Sequence, residues 1–115
     1  MSATNAINWQ DCVKQSNNKP ELAQELLDMF ALELPTLKQQ INLSHKNNDL
    51  STLEYHVHKL HGACCYCGTN RLKLILHDLE KNISRLQPAQ LDTQIQTVRL
   101  EIDRIIHSLQ SKDYR

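Results

Sequence analysis

The stretch Leu50–Gly68, LSTLEYHVHKLHGACCYCG, determines the fold class and contains most of the residues with chemical potential. Its apolar side chains recur at alternating steps of three and four, which is the spacing of one face of an α-helix. Glycine at its end is a common helix stop, and Thr69 is a suitable N-cap for another helix. The pattern therefore predicts an amphipathic helix with one buried face. That face comprises Leu50, Leu53, Val57, Leu60, Cys64 and Cys67.

The same period extends toward the N-terminus. A run of apolar residues begins after Pro20, which suits a first helical turn, and continues to Ile41. Pro35 lies inside this run and predicts a kink or local unwinding, because proline cannot donate the helical hydrogen bond. The polar residues 44–49 predict a loop that includes a helix cap. The expected buried residues of the run are Leu22, Leu26, Phe30, Leu34, Leu37 and Ile41.

Two further runs follow the central stretch, at residues 72–86 and 91–109, and Gln87-Pro88 separates them. The expected buried residues of the first of these runs are Leu72, Ile75, Leu79, Ile83 and Leu86. Before the first long run, Asn8 is placed to cap a short helix. Four amphipathic helices with short connections predict an all-α fold, an antiparallel four-helix bundle with up-down-up-down topology. We expect the short N-terminal helix to cover one end of that bundle.

Composition limits the possible classes of protein. The 115 residues suffice for one domain, which we place at 8–112, with flexible ends at 1–7 and 113–115. Thirteen basic residues balance thirteen acidic ones, so nothing indicates a nucleic-acid partner. No apolar run approaches the length of about 18 residues that a membrane span requires, so no membrane contact is expected. The unevenly spaced cysteines are typical of free thiols in a reducing compartment, and we expect a cytoplasmic location.

His58 and Gly62 lie away from the apolar face of the central helix. At about 100° per residue, His58 points roughly 130° from the centre of that face, and Gly62 follows one turn later on the same side. Glycine within a helix costs about 1 kcal/mol relative to alanine, so an outward glycine suggests that another molecule approaches closely there. An ordinary surface histidine beside a tolerated surface glycine explains the same pattern, and geometry alone does not separate the two interpretations.

Glu80 is a candidate partner for His58. If the chain reverses direction near Thr69, the two residues lie at the same height, since each is eleven residues from the turn. A carboxylate there can accept a hydrogen bond from Nδ1–H of the imidazole and leave Nε2 as a nucleophile facing solvent. A solvated surface carboxylate is the alternative interpretation.

A metal site is one competing hypothesis. His58 and His61 on one helix face His77 and Glu80 on the next, an arrangement that superficially matches helix-borne metal ligands. His77, however, points roughly 160° from its own apolar face, too far round to converge with the others.

A thiol redox site is the other competing hypothesis. Cys64 and Cys67 have the spacing of a reactive pair, and Cys65 lies between them. Reactive pairs favour exposed helix N-termini, whereas these two residues lie on the apolar face late in a helix. The alternative function is therefore a helical metal-binding or thiol redox-sensing module that uses His58, His61, Cys64, Cys65 and Cys67.

The sequence His58-Lys59-Leu60-His61-Gly62, with a second glycine six residues later, resembles a known family. It is similar to the histidine-phosphotransfer (HPt) domain, whose signature is His-x-Leu-Lys-Gly with the same glycine spacing. The resemblance covers nearly the whole chain. The sequence motif HKLHG…YCG is most similar to the C-terminal HPt domains of BarA/GacS-type hybrid sensor histidine kinases.

The resemblance assigns roles by position. His58 matches the phospho-accepting histidine, and Gly62 matches the glycine that lets the partner approach. Glu80 falls where members of the family often place a residue that orients the imidazole. His61 stands where most members have lysine, which makes the charge near the phosphoryl group dependent on protonation. Lys59 is a further candidate neighbour of the phosphoryl group.

The resemblance also implies a mode of action. The domain would carry a phosphoryl group between the aspartates of response-regulator receiver domains, a donor and an acceptor, and the receiver would supply Mg²⁺. With two glycines and no phosphate-binding loop the chain has no ATP site, so alone it would not be an enzyme and would bind no cofactor. We expect a monomer and, if the chain is a fragment, a hybrid sensor kinase as its parent. The expected docking rim comprises Glu54, Tyr55, His61 and Cys65.

Overall fold

The computed structural model describes residues 5–115, and this part of the chain contains five helices. A short first helix is followed by four longer ones joined by brief connections. None of the helices within residues 5–115 is long and apolar enough to cross a membrane. The helices are α1 (Trp9–Gln15), α2 (Pro20–Lys46), α3 (Leu50–Cys64), α4 (Asn70–Asn82) and α5 (Pro88–Ser111).

The four long helices form a ring in which each packs on its neighbours: α2 on α3, α3 on α4, α4 on α5, and α5 on α2. Ion pairs show the direction of the chain. Lys38 Nζ lies 2.5 Å from Asp103 Oδ1, and His45 Nε2 lies 2.7 Å from Asp92 Oδ1. Moving forward along α2 therefore means moving backward along α5. The predicted all-α bundle with a short additional helix is confirmed.

The buried faces follow the predicted period, with a shift at two places and one exception. Leu50, which was predicted to be buried, is 39% exposed in the first turn of α3. In the first turns of α2 the buried residues are Ala23 and Leu27 instead of Leu22 and Leu26. The sequence has leucine at 22, 26 and 27, so two neighbouring faces of the helix fit the period. The small Ala23 allows close packing, which favours burial of the face that carries Ala23 and Leu27. Leu76 likewise replaces the predicted Ile75 in α4. The remaining core of α2 comprises Phe30, Leu34, Leu37 and Ile41, as expected.

The predicted loop at residues 44–49 is wrong in its first half, because α2 continues to Lys46. Ser44 is buried, and its hydroxyl donates to the carbonyl of Gln40 at 2.7 Å, which satisfies a polar group that the sequence assigned to a loop. Helix α2 also continues without interruption through Pro35, so the local unwinding predicted there is absent. The predicted cap is present: the Asp49 carboxylate accepts from the amide of Thr52 at 3.2 Å.

Helix α1 covers the end of the bundle near the α3–α4 turn, as predicted. Its N-cap Asn8 accepts from the amide of Asp11 at 3.1 Å. The amide of Asn8 donates to the carbonyl of Gly68 at 2.8 Å, which ties α1 to that turn. The Cys12 thiol donates to the carbonyls of Ala23 and Tyr66, each at 3.7 Å.

The expected flexible segments at 1–7 and 113–115 contain packed side chains in the part that the structure describes. Ile7 is fully buried, and residues 1–4 lie outside the described residues. Tyr114 is 7% exposed, and its ring centroid lies 5.8 Å from that of Trp9. Its hydroxyl also accepts a hydrogen bond from Gln24. The aromatic contact between Trp9 and Tyr114 packs the segment that follows α5 against α1.

Gly68 is the residue on which this end of the bundle depends. Its φ of +66° lies in the left-handed region, and a Cβ on it would lie 2.2 Å from the carbonyl oxygen of Asn8. We expect Gly68→Ala to lower the free energy of unfolding by about 1–3 kcal/mol, because the backbone of Asn8 or of residue 68 must move to accommodate the Cβ. Urea unfolding followed by circular dichroism measures this. An unchanged midpoint would show that the contact between Asn8 and Gly68 is dispensable.

Candidate functional site

Helices α3 and α4 bring His58 and Glu80 together. His58 Nδ1 lies 3.1 Å from Glu80 Oε2. An ionised carboxylate can only accept, so Nδ1 carries the proton and donates, which leaves Nε2 unprotonated in the neutral ring. The His58 side chain is 77% exposed. The contact between the two side chains is the one predicted from their equal distances to the turn, and it leaves the far side of the imidazole exposed to solvent.

The second oxygen of Glu80 faces His61. His61 Nδ1 lies 3.4 Å from Glu80 Oε1. This distance is within the range of an ion pair but longer than a usual hydrogen bond of about 2.7–3.2 Å. Glu80 Oε1 is enclosed and has no hydrogen-bond partner within residues 5–115. The His61 side chain is 21% exposed and that of Glu80 28%. The His61 side chain is therefore largely covered, and its Nδ1 faces the carboxylate.

His77 lies closer to this group than predicted. Its ring centroid is 5.8 Å from that of His61, and the planes are tilted by 31°. His77 reaches His61 because an imidazole extends sideways from its helix. Among residues 5–115 no three histidine, cysteine, aspartate or glutamate side chains are arranged to hold a metal ion.

Gly62 is exposed one turn after His58. A Cβ built on it meets nothing within 4 Å. The chain's own packing therefore does not require a glycine here, and the space beside the histidine is open to another molecule. Lys59 is also exposed, and its side chain forms no hydrogen bond or ion pair with any described residue.

Two of the four residues of the expected docking rim are exposed. Glu54 is exposed and Tyr55 is 62% exposed, but His61 is mostly covered and Cys65 is half-buried, its thiol directed at the carbonyl of His61. Sequence reasoning missed two exposed apolar residues nearby, Met29 and Tyr66, 57% and 56% exposed. They border a shallow hollow between α2 and the end of α3. The only signal in the sequence was an apolar residue outside the predicted buried face. The hollow is lined by Leu26, Met29, Phe30, Glu33, Ala63, Tyr66 and Cys67.

The three buried thiols are unsuited to redox chemistry. Burial raises the pKa of Cys64 and of Cys67 to about 12. Burial likewise raises the pKa of Cys12 to about 11. All four cysteines are free. Because the thiolate is the reactive form, the three buried thiols act as small apolar side chains, and nothing in their arrangement supports the redox alternative.

Known proteins resemble this chain in sequence and in structure. It is 26% identical over 100 residues to the signal transduction histidine-protein kinase BarA of Shigella flexneri. The aligned residues cover 86% of this chain and 11% of that protein. It is 26% identical over 101 residues to the sensor protein GacS of Pseudomonas syringae pv. syringae. The chain thus spans about a tenth of the length of these curated relatives, 11% in each case.

A solved structure matches the fold, namely the HPt domain from the Hpt sensor hybrid histidine kinase of Shewanella. The TM-score is 0.85 at 30% sequence identity, and the match covers 94% of this chain and 93% of that one. A sequence model of the Hpt domain matches residues 25–111, which include the whole α3–α4 pair with His58 and Glu80. The chain belongs to the Hpt domain family.

Proposed function

We propose that this domain carries a phosphoryl group on Nε2 of His58 within a two-component phosphorelay. The observation that supports this most directly is the exposed imidazole whose Nδ1 is held by Glu80 at 3.1 Å. Membership of the Hpt family supplies the class of reaction, because its domains are phosphocarrier modules and not enzymes. The domain passes the group on and has no role in hydrolysing ATP.

The chemical step needs little from the protein beyond position and charge. The lone pair on Nε2 of His58 attacks phosphorus in an aspartyl phosphate, and the bond from phosphorus to the aspartate oxygen breaks with its electron pair. The aspartate leaves as a carboxylate. The ring becomes cationic while Nδ1 keeps its proton, and Glu80 offsets that charge. In the onward step a second aspartate attacks phosphorus, and the phosphorus–nitrogen bond breaks.

The proposed partners are receiver domains of response regulators, one as donor and one as acceptor. The receiver supplies Mg²⁺ and its acidic ligands. Its active-site loop approaches over Gly62, where a Cβ would meet nothing of this chain. The apolar hollow beside Met29 and Tyr66 offers further contact area to the same partner, and Tyr55 extends the surface along α3. Interfaces of transient signalling partners are often small, and such a surface suits one.

The chemical stability of the label tests the proposal. The chain is incubated with a phosphorylated receiver domain and Mg²⁺, separated, and treated with acid or alkali. Phosphohistidine is labile in acid and stable in alkali, so the label is expected to disappear only in acid. A label that survives acid, or no label from any of several receivers on a folded chain, would overturn the proposal.

A further inference from the structure

Glu80 contacts two of the three histidines of α3, His58 and His61. Its Oε2 accepts from His58, and its Oε1 lies 3.4 Å from His61 Nδ1. Oε1 is enclosed and has no hydrogen-bond partner among residues 5–115. A buried carboxylate oxygen without a partner is costly, so a donor as close as His61 acts directly on the orientation of the carboxylate.

His61 is poorly placed for the alternative task of contacting the phosphoryl group. The phosphoryl group forms on the solvent side of His58, a side chain that is 77% exposed, whereas His61 is 21% exposed. Its Nδ1 is directed at Glu80, and its ring lies beside that of His77, with centroids 5.8 Å apart. His77 occupies the position one turn before Glu80 on α4 and limits the space in which the His61 ring can rotate.

We infer that His61 is a positioning residue: by holding Oε1 of Glu80 it keeps Oε2 on Nδ1 of His58, so that Nε2 is the free nucleophile. The inference rests on the proposed role of His58. The ring of His77 braces His61 from α4. The other titratable group next to His61 is the Cys65 thiol, which donates to the His61 carbonyl and leaves the ring free to face Glu80.

The test compares two substitutions of similar volume. His61→Leu keeps the covered volume and donates no hydrogen bond, whereas His61→Gln retains an amide donor that can reach Oε1. Long-range ¹H–¹⁵N correlation spectra measure the fraction of His58 that carries its proton on Nδ1. We expect His61→Leu to shift this tautomer ratio by about two- to threefold, the lower end of the effect of one net hydrogen bond, because the separation of 3.4 Å is long. His61→Gln is expected to stay close to the wild-type ratio.

The rate of phosphoryl acceptance in His61→Leu is expected to fall in proportion to the fraction of His58 that carries its proton on Nδ1. His107→Gln on α5, a helix that is not a neighbour of α3, serves as the control. A double variant that combines Glu80→Ala with His61→Leu separates a positioning role of His61 from general structural damage. In a Glu80→Ala background, His61→Leu should change neither the tautomer ratio nor the rate, because the group through which it acts is gone.

An unchanged His58 tautomer in His61→Leu, or a full effect of His61→Leu in the Glu80→Ala background, would overturn the inference. If His61→Leu fails to fold, His61→Ala takes its place in the same comparison. The tautomer measurement requires no receiver domain. A wild-type chain that takes no label therefore contradicts the proposed function, and it is distinguishable from a failure of the positioning inference.

Discussion

Replacing His58 by glutamine is expected to abolish the acid-labile label while leaving the bundle folded. Only an imidazole supplies a nitrogen lone pair that can attack the aspartyl phosphate, and a glutamine amide nitrogen does not. The loss should be complete within detection, the largest effect expected of any substitution in the chain. Incubation with a phosphorylated receiver and Mg²⁺, followed by separation and counting of the label, measures it.

The fold should tolerate this change because His58 contributes little to the core. Its side chain is 77% exposed, and its one hydrogen bond is to Glu80. Glutamine has an amide that can donate to the same carboxylate. We expect the free energy of unfolding to change by no more than about 0.5 kcal/mol, the usual range for surface positions. Urea unfolding of both proteins checks this.

His107→Gln is a matched control, since it makes the same substitution at an exposed histidine of α5, a helix that is not a neighbour of α3. It should take up label at the wild-type rate. The exposed His77 makes the experiment discriminating, because it is a second imidazole near the site. A label that persists in His58→Gln would move the acceptor to another residue and refute the assignment.

The fold was predictable because the period of burial is a local property of the sequence. Alternating steps of three and four mark the face of α3 that the structure buries: Leu53, Val57, Leu60 and Cys64. The contact between His58 and Glu80 was predictable for a related reason. Two antiparallel helices joined by a short turn place residues equally far from the turn at the same height, and the distance of 3.1 Å follows that rule.

The same rule pairs His61 with His77, each eight residues from Thr69, yet direction on the helical wheel argued against it. Wheel angles describe where Cβ leaves the helix, whereas an imidazole extends sideways and reaches a neighbour from the flank. The structure, with ring centroids 5.8 Å apart, shows that height is the stronger constraint. Contacts such as that of Tyr114 with Trp9 leave no periodic signal, since the two residues lie at opposite ends of the sequence.

The second large effect is expected at Gly62. Gly62→Glu should leave the chain folded and reduce transfer from and to a receiver domain by about 100-fold or more, because displacing reacting groups by about 1 Å can cost that much. The bulk would stand beside His58 where the partner must approach. Single-turnover transfer in both directions measures it. Gln110→Glu, an exposed position on α5, adds the same charge away from the site and should have no effect.

Two further variants separate clearance from charge and from fold. Gly62→Gln adds similar bulk without charge, so a comparable loss identifies size as the cause, whereas full activity would identify repulsion. Gly62→Ala should raise the free energy of unfolding by up to about 1 kcal/mol, since a Cβ there meets nothing within 4 Å and alanine is the better helix former. If glycine at position 62 makes the isolated domain less stable, and its replacement by glutamate or glutamine stops transfer, then its function is to let the partner approach His58. Wild-type transfer in both Gly62→Glu and Gly62→Gln would refute that conclusion and leave Gly62 an ordinary surface residue.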